Sequence, residues 1–143
     1  MESSLRELAM YRMERAFEML IAAEDNLKIG QYKTSLNRSY YAIFHAMRAA
    51  NIIKGFDSSK HSGVIAFFNK EYLKENIIDR KMSPIIKNIS FFREKSDYDD
   101  FFIASKKDAE NQLKNAKIFL SVVEDYLKTE NHNLLANPQI SRH

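Results

Sequence analysis

The chain has 143 residues, no cysteine, three glycines and two prolines, and its 22 basic and 19 acidic side chains give a net charge of +3. This length fits one domain, the missing cysteines exclude disulfides and thiolate chemistry, and the small net charge does not by itself indicate nucleic-acid binding. The amino end is too charged for a signal peptide and no apolar run suits a membrane span, so we expect a cytoplasmic protein without membrane contact.

The first half of the chain predicts two long helices joined by a short turn. From Leu5 to Leu27, apolar residues recur every three or four positions between charged ones. Gly30 follows, where a helix needs a left-handed residue to end. A second helix is expected from Gln31 to Lys54, ended by Gly55. Its middle is apolar nearly all round, which favours burial between neighbouring helices or a subunit interface on its alanine-rich side.

Three more helices are predicted in the second half. Residues 57–59 (Asp-Ser-Ser) offer capping oxygens for a short third helix. Ser83 and Pro84 are typical of the cap and first turn of a fourth helix. A regular apolar repeat predicts a fifth helix from Ala104 to Lys128. The scarcity of glycine and proline favours short connections between these helices.

Together these elements predict an all-α fold, an antiparallel up-and-down bundle of about five helices. The bundle is expected over residues 1–130. The remaining residues, 131–143, have no helical period and contain Pro138, which predicts a flexible carboxyl-terminal tail.

One face of the second helix carries Arg38, Tyr41 and His45, because seven residues bring a helix back to within about 20° of its starting direction. An arginine and a histidine held in this way could bind a phosphate and move a proton, as a metal-free ribonuclease requires. The alternative is structural: Arg38 pairs with an acid on another helix, and His45 is a half-buried packing residue. Spacing alone favours the alternative.

Two further clusters have both a chemical and a structural interpretation. Asp97, Asp99 and Asp100 could hold Mg²⁺, but acids before a helix also cap it and complement its dipole. His61 lies among serines at the start of the third helix, where backbone amides could bind an anion or be capped. Capping is the favoured interpretation in both places, so we predict no metal site and no cofactor.

Three segments in this order resemble the HEPN family of small helical prokaryotic proteins: NRSYYAIFHA at 37–46, HSG at 61–63 and FREKSDYD at 92–99. The resemblance spans about residues 5–130. It implies a helical bundle that is usually a homodimer and is associated with RNA or nucleotides. It also implies a frequent genetic partner, a minimal nucleotidyltransferase, in a toxin–antitoxin pair.

The resemblance also implies the place of a site. Many HEPN members are ribonucleases that use an arginine, four to six residues and then a histidine, with two copies meeting across the dimer. At the corresponding place this chain has Arg93, four residues and then Tyr98, so a tyrosine stands where the histidine is expected. Arg38 and His45 match the bare spacing, but they lie on the second helix, outside the usual place of the pair.

Three functions therefore stay open, and so does the question of whether the chain is an enzyme. The favoured one is a dimeric binding or regulatory protein that engages RNA, a nucleotide or a nucleotidyltransferase, with Tyr98 a possible acceptor of a nucleotidyl group. Its expected binding residues are Arg93, Tyr98, Tyr41 and Asp97. The second is a metal-independent ribonuclease in which His45 moves the proton and Arg38 or Arg93 stabilises the transition state. The third is a helical dimerisation scaffold.

Overall fold

The computed structural model describes residues 2–136, with side chains from residue 4 to residue 130. Within this range the chain forms five α-helices and no strand, which confirms the all-α helical bundle. They are α1 (Glu2–Lys28), α2 (Tyr32–Ile53), α3 (His61–Phe68), α4 (Met82–Tyr98) and α5 (Lys106–Ala136). A single π-helical turn, Asn69–Leu73, continues α3. None of these helices is both long and apolar enough to cross a membrane.

The centre of the bundle is α2, which packs against each of the other four helices. Thirteen of its 22 residues are buried, in agreement with the apolar middle of its sequence. The alanines at positions 42, 46, 49 and 50 are each 0% exposed, because neighbouring helices approach closely on that side. The alanine-rich side of α2 is therefore inside the protomer, and the expectation that it forms a subunit interface is wrong.

A three-residue turn joins α1 and α2 in antiparallel order. Gly30 adopts φ +80°, the left-handed conformation that L side chains rarely take, and the Gln31 N–H donates to the Asn26 carbonyl at 2.8 Å. One turn into α2, the buried Ser35 hydroxyl donates to the Ala23 carbonyl of α1 at 2.8 Å. The predicted glycine stop is confirmed, and the Ser35 hydrogen bond fixes the register of α1 against α2.

Two predicted helix caps are wrong. Lys60, which has no capping side chain, precedes α3, and the Asp57 carboxylate pairs with two arginines instead. The start of α4 is Met82, so Ser83 lies inside its first turn. The helix begins earlier because Asp79 accepts two backbone N–H groups at its start. The Asp79 carboxylate accepts the Lys81 N–H, and the Asp79 carbonyl accepts the Met82 N–H.

The last helix is longer than the sequence predicts. Its first turn is capped by Ser105, whose hydroxyl accepts the Asp108 N–H at 3.0 Å, so α5 begins at Lys106 and not at Ala104. It continues to Ala136 because neither glycine nor proline interrupts the chain after Lys128. The first six residues of the expected tail are therefore helical, and residues 137–143 lie outside the described part of the chain.

Candidate functional site

A buried tyrosine and a histidine form the centre of the candidate site. Tyr40 of α2 is 2% exposed, and its hydroxyl lies 2.8 Å from Nδ1 of His61, the first residue of α3. Burial raises the pKa of Tyr40 to about 12, so the phenol remains protonated and can donate this hydrogen bond. Burial also lowers the pKa of His61, and Arg93 and Arg48 add to the effect. A neutral His61 that accepts at Nδ1 carries its proton on Nε2, where it can be donated to a ligand.

Aromatic rings hold the His61 imidazole in place. It stacks on Phe44 with 4.1 Å between ring centroids and an interplanar angle of 23°. Tyr41 meets the imidazole edge to face at 5.9 Å and meets the Tyr40 ring at 5.2 Å. These rings come from one segment of α2 and the start of α3, so the orientation of His61 is set by packing as well as by the Tyr40 hydroxyl.

A cation from α4 lies beside this pair. The Arg93 guanidinium is 4.9 Å from the centroid of the Tyr40 ring, and its Nε is 3.7 Å from the Asp97 carboxylate, one helical turn later. That Nε is buried and makes no hydrogen bond within residues 4–130. We call Tyr40, Tyr41, His61, Arg93 and Asp97 together the Arg93 face. It combines a positive charge, an imidazole donor and aromatic rings.

A polar groove of about 280 Å³ adjoins the Arg93 face at Asp97. Its walls come from the first turns of α2 and the last turns of α4: Lys33, Thr34, Asn37, Arg38, Ser96 and Asp97. Arg38 donates to the Asn37 side chain at 2.6 Å, and the buried Ser96 hydroxyl has no partner among the described side chains. Two cations and an unpaired hydroxyl give this groove the chemistry of a phosphate site.

His45 has different neighbours. Burial is the main cause that lowers its pKa to about 4, and the charges of Arg15, Arg48 and Arg12 contribute to this value, so the imidazole is neutral at pH 7. Its Nδ1 is buried without a hydrogen-bond partner in the described part of the chain. Arg38, by contrast, lines the groove between α2 and α4. The two residues share a face of the helix by register, but the structure does not gather them as a catalytic pair around one groove.

The arginines near His45 are held by an ion pair. Asp57, in the loop after α2, accepts from Arg12 at 2.9 Å and from Arg48 at 3.0 Å. The Arg12 side chain is only 9% exposed, and Arg48 retains 27% exposure. This bridge ties α1, α2 and the following loop together. These arginines therefore have a structural role, and their charges are already partly neutralised.

The tyrosine that replaces the expected histidine lies on another side of α4. Tyr98 is 79% exposed and lines a pocket of about 260 Å³ with Phe91, Glu94, Lys95 and Asp99. It lies five positions after Arg93 along the helix, which turns the two side chains about 140° apart. Arg93 and Tyr98, which sequence analysis grouped together, are therefore not brought together within one chain.

The acidic turn is explained by ion pairs. Asp97 faces Arg93, and the Asp99 carboxylate is 3.9 Å from the Lys95 ammonium. Asp97 and Asp99 thus each meet a cation of α4 four residues earlier, and Asp100 has no ion pair among the described side chains. No group of three metal-ligating side chains is found among the residues that the structure describes.

Sequence analysis missed Tyr40 and His61 as site residues. Tyr40 lies in the apolar middle of α2, where burial alone was expected, and capping was the favoured interpretation at His61. The available signal was the tyrosine itself, because a buried phenol usually finds a hydrogen-bond partner. Both residues also lie within the segments that carry the family resemblance, at 37–46 and 61–63.

The five-helix bundle belongs to a known class of helical domain. The family model for the HEPN domain matches residues 9–126, which is most of the chain. This protein therefore belongs to the HEPN family, and the resemblance noted in its sequence is confirmed.

Relatives in archaea and bacteria cover most of the chain. A protein of Methanocaldococcus jannaschii named "Putative toxin" is 32% identical over 119 residues, which is 83% of this chain and 81% of that protein. A second protein of that organism with the same designation is 30% identical over 90% of this chain and 95% of its own length. A Thermotoga maritima protein named "UPF0332 protein" is 30% identical over 82% of this chain and 89% of that protein.

Proposed function

We propose that this protein is a toxin-like HEPN protein that binds RNA or a nucleotide at the Arg93 face. It acts as a homodimer and in partnership with a minimal nucleotidyltransferase. The toxin-like character is supported by membership of the HEPN family and by the names of the two M. jannaschii relatives. The binding function rests on one observation above all: Arg93 is held 4.9 Å from the Tyr40 ring, beside the His61 imidazole.

The side chains of this face suit the two parts of a nucleotide. Arg93, with Lys33 and Arg38 in the adjoining groove, supplies cations for phosphate oxygens. His61 adds a neutral N–H donor, and partly exposed rings such as Tyr41 offer stacking surface for a base. Cations beside aromatic rings are the usual means by which proteins bind single-stranded nucleic acid without reading its sequence.

Binding is supported better than cleavage. A metal-free ribonuclease needs groups that transfer protons near the phosphate. His45, with its pKa lowered to about 4, is neutral and lies near Arg12, Arg15 and Arg48. Tyr98 occupies the place of the expected histidine and points to another side of α4. Neither residue is positioned by this chain to act with Arg93.

The test measures RNA affinity of matched arginine variants. Fluorescence anisotropy of a labelled single-stranded RNA is compared for the wild type, Arg93→Ala and Arg38→Ala. Loss of one phosphate contact is expected to weaken binding about 5- to 30-fold in each variant. Arg15→Ala removes the same charge on α1, where Arg15 pairs with Glu18 at 3.2 Å, and should leave affinity within about twofold. Competition by ATP or AMP distinguishes a nucleotide site from an RNA site.

Two results would contradict this proposal. Equal affinities of the wild type and Arg93→Ala would remove the Arg93 face from the binding site. Time-dependent cleavage of total RNA that is lost in His45→Ala or Arg93→Ala would show a ribonuclease instead. If neither RNA nor nucleotide binds at all, the scaffold alternative is favoured.

The toxin-like role and the partner are tested in cells. Induced expression in a bacterial host is expected to slow growth, and Arg93→Ala should relieve the effect at equal protein level. Coexpression of a minimal nucleotidyltransferase from the same genome should relieve it in the wild type. Unimpaired growth with the wild-type protein would contradict the toxin-like role.

A further inference from the structure

The Asp97 carboxylate has free capacity to accept hydrogen bonds. Its side chain is 39% exposed, and its ion-pair partner, Nε of Arg93, lies 3.7 Å away, which is longer than a hydrogen bond. An ionised carboxylate has about four lone-pair positions and no proton to donate. The ion pair with Arg93 therefore leaves these positions open to the donors of a ligand.

The other charged groups of the Arg93 face and of the polar groove donate hydrogen bonds. Arg93, Lys33 and Arg38 are donors only. The side-chain oxygen of Asn37 already accepts from Arg38 at 2.6 Å. Such donors suit phosphate oxygens, but a carboxylate among them repels a phosphate unless the ligand also brings a donor. Asp97 thus indicates a ligand group that carries a proton.

Asp97 lies between the part of the site that suits a base and the part that suits a phosphate. It meets Arg93 beside the aromatic rings, and it also forms a wall of the polar groove with Lys33 and Arg38. Its charge partly opposes the lowering of the pKa of His61, which places the carboxylate near the imidazole. In a nucleotide the sugar joins the base to the phosphate, so the sugar is the ligand group expected at this position.

We propose that Asp97 accepts a hydrogen bond from a ribose 2′-hydroxyl of the bound nucleic acid, and that this contact makes the site select RNA over DNA. The 2′-hydroxyl is the donor that RNA has and DNA lacks. A hydrogen bond to a charged acceptor is stronger than one between neutral groups, so one contact gives measurable selection. This inference rests on the proposed function and names the chemistry by which its site recognises a ribonucleotide.

Asp97 has an alternative role, which is to hold Arg93 in place. A purely structural ion pair would affect RNA and DNA equally, because their phosphates are alike. A contact with the 2′-hydroxyl affects RNA alone. The ratio of the RNA and DNA affinities therefore separates the two roles.

The first test changes the ligand and leaves the protein intact. Fluorescence anisotropy compares three single-stranded oligonucleotides of one uracil-containing sequence: RNA, DNA and 2′-fluoro RNA, whose sugars keep an RNA-like pucker but have no 2′-hydroxyl to donate. The wild type should bind RNA about 5- to 20-fold more tightly than either of the others. Equal affinity for RNA and 2′-fluoro RNA would overturn the proposal, since the site would then recognise no hydroxyl.

The second test removes the carboxylate. In Asp97→Ala the preference for RNA over DNA should fall to about twofold or less, because RNA binds more weakly while the affinity for DNA stays the same or rises. Unchanged helical circular dichroism shows that the variant folds. A preference that is unchanged in Asp97→Ala, or RNA and DNA affinities that fall by the same factor, overturns the proposal.

Glu94→Ala is the matched control for Asp97→Ala. Glu94 is an exposed acid of the same helix that lines the pockets on its other sides, away from the polar groove. Its removal changes the net charge by the same amount and should leave the wild-type preference for RNA. Loss of the preference in both variants would assign it to charge alone and overturn the contact.

Failure of this inference differs from failure of the proposed function. If Arg93→Ala binds RNA as the wild type does, or if neither RNA nor DNA binds, the proposed function is wrong and this inference with it. If Arg93→Ala weakens binding of both RNA and DNA while Asp97→Ala keeps the wild-type preference, only the assignment of Asp97 is wrong.

Discussion

His45 and His61, the two histidines whose side chains the structure describes, are both neutral at pH 7, and burial is the main reason for each. They differ in what surrounds them. His61 accepts a hydrogen bond from the Tyr40 hydroxyl and packs among aromatic rings beside Arg93, so its Nε2–H is free of this contact. His45 lies near three arginines with its Nδ1 unpaired. The first arrangement can serve a ligand, while the second disfavours protonation of His45.

The depressed pKa of His45 predicts a pH dependence of stability. The unfolded chain protonates this imidazole below about pH 6.5, but the native protein resists until about pH 4. The native state therefore loses stability as pH falls between these values. We expect His45→Gln to abolish about 1–3 kcal/mol of that loss. Urea unfolding from pH 7 to 4.5 measures it, and parallel pH curves for both proteins would contradict it.

Asp57 predicts a second contribution of the same sign, present at neutral pH and lost in acid. Partial burial raises its pKa, but hydrogen bonds from Arg12 and Arg48 outweigh that effect and hold the pKa below 3.8. Its stabilisation is therefore complete above the unfolded value and is lost as pH falls through the lower native value. Asp57→Asn leaves the buried Arg12 without its counterion, at a cost of about 1–3 kcal/mol at pH 7.

The control for Asp57→Asn is Asp25→Asn, which removes an exposed carboxylate with no ion pair in the described structure and should change stability by less than about 0.5 kcal/mol. Chemical denaturation at pH 7 and at pH 3 checks the prediction. A deficit in Asp57→Asn that is as large at pH 3 as at pH 7 would show that the carboxylate's charge is not its source.

For single residues, the sequence predicted which side chains belong to the candidate site better than it predicted which side chains they contact. The resemblance singled out Arg93 and Asp97, which do lie together, because four residues along a helix are neighbours by register. The Tyr40 and His61 contact spans 21 positions and a loop, so no local period reveals it. Register also placed Arg38 and His45 on one face, but the surrounding helices give each different neighbours.

Among the elements, the extension of α3 has a structural purpose. Its π-helical turn, Asn69–Leu73, contains the fully buried Tyr72. The Tyr72 hydroxyl lies at the end of α2 and donates to the Ala50 carbonyl. Carbonyls in the last turn of a helix lack partners within it, so Tyr72 satisfies one of them. Burial raises the pKa of Tyr72, which keeps the hydroxyl protonated as a donor.

Removing this hydroxyl should destabilise the protein. Tyr72→Phe is expected to lower the free energy of unfolding by about 1–2 kcal/mol, because a buried carbonyl is left unsatisfied. Tyr11→Phe is the matched control, since Tyr11 is 58% exposed on α1, and it should be nearly neutral. Thermal or urea unfolding of both variants makes the comparison. Equal stability of the two variants would mean that water or another donor replaces Tyr72.

The sequence predicted the number and order of the helices because their apolar periods are long and regular. Helix ends were less predictable where side chains had alternative partners. Asp57 was expected to cap α3, but two arginines from α1 and α2 compete for the same carboxylate. Such competition depends on tertiary contacts, which a local cap pattern does not contain.

Considered as a whole molecule, the protein uses α4 in two directions. Arg93 and Asp97 face α2 and form the proposed RNA or nucleotide site with Tyr40, Tyr41 and His61. Phe91 and Tyr98 line pockets on other sides of the same helix.

The most direct measurement follows the histidine side chains by NMR while single-stranded RNA is added. His61 and His45 report on the Arg93 face and on the arginine-rich side of α1 respectively, and substitution of each assigns its signals. We predict that the His61 imidazole signals shift with RNA, that those of His45 stay within error, and that the His61 shifts disappear in Arg93→Ala. Shifts at His45 with none at His61 would contradict the account.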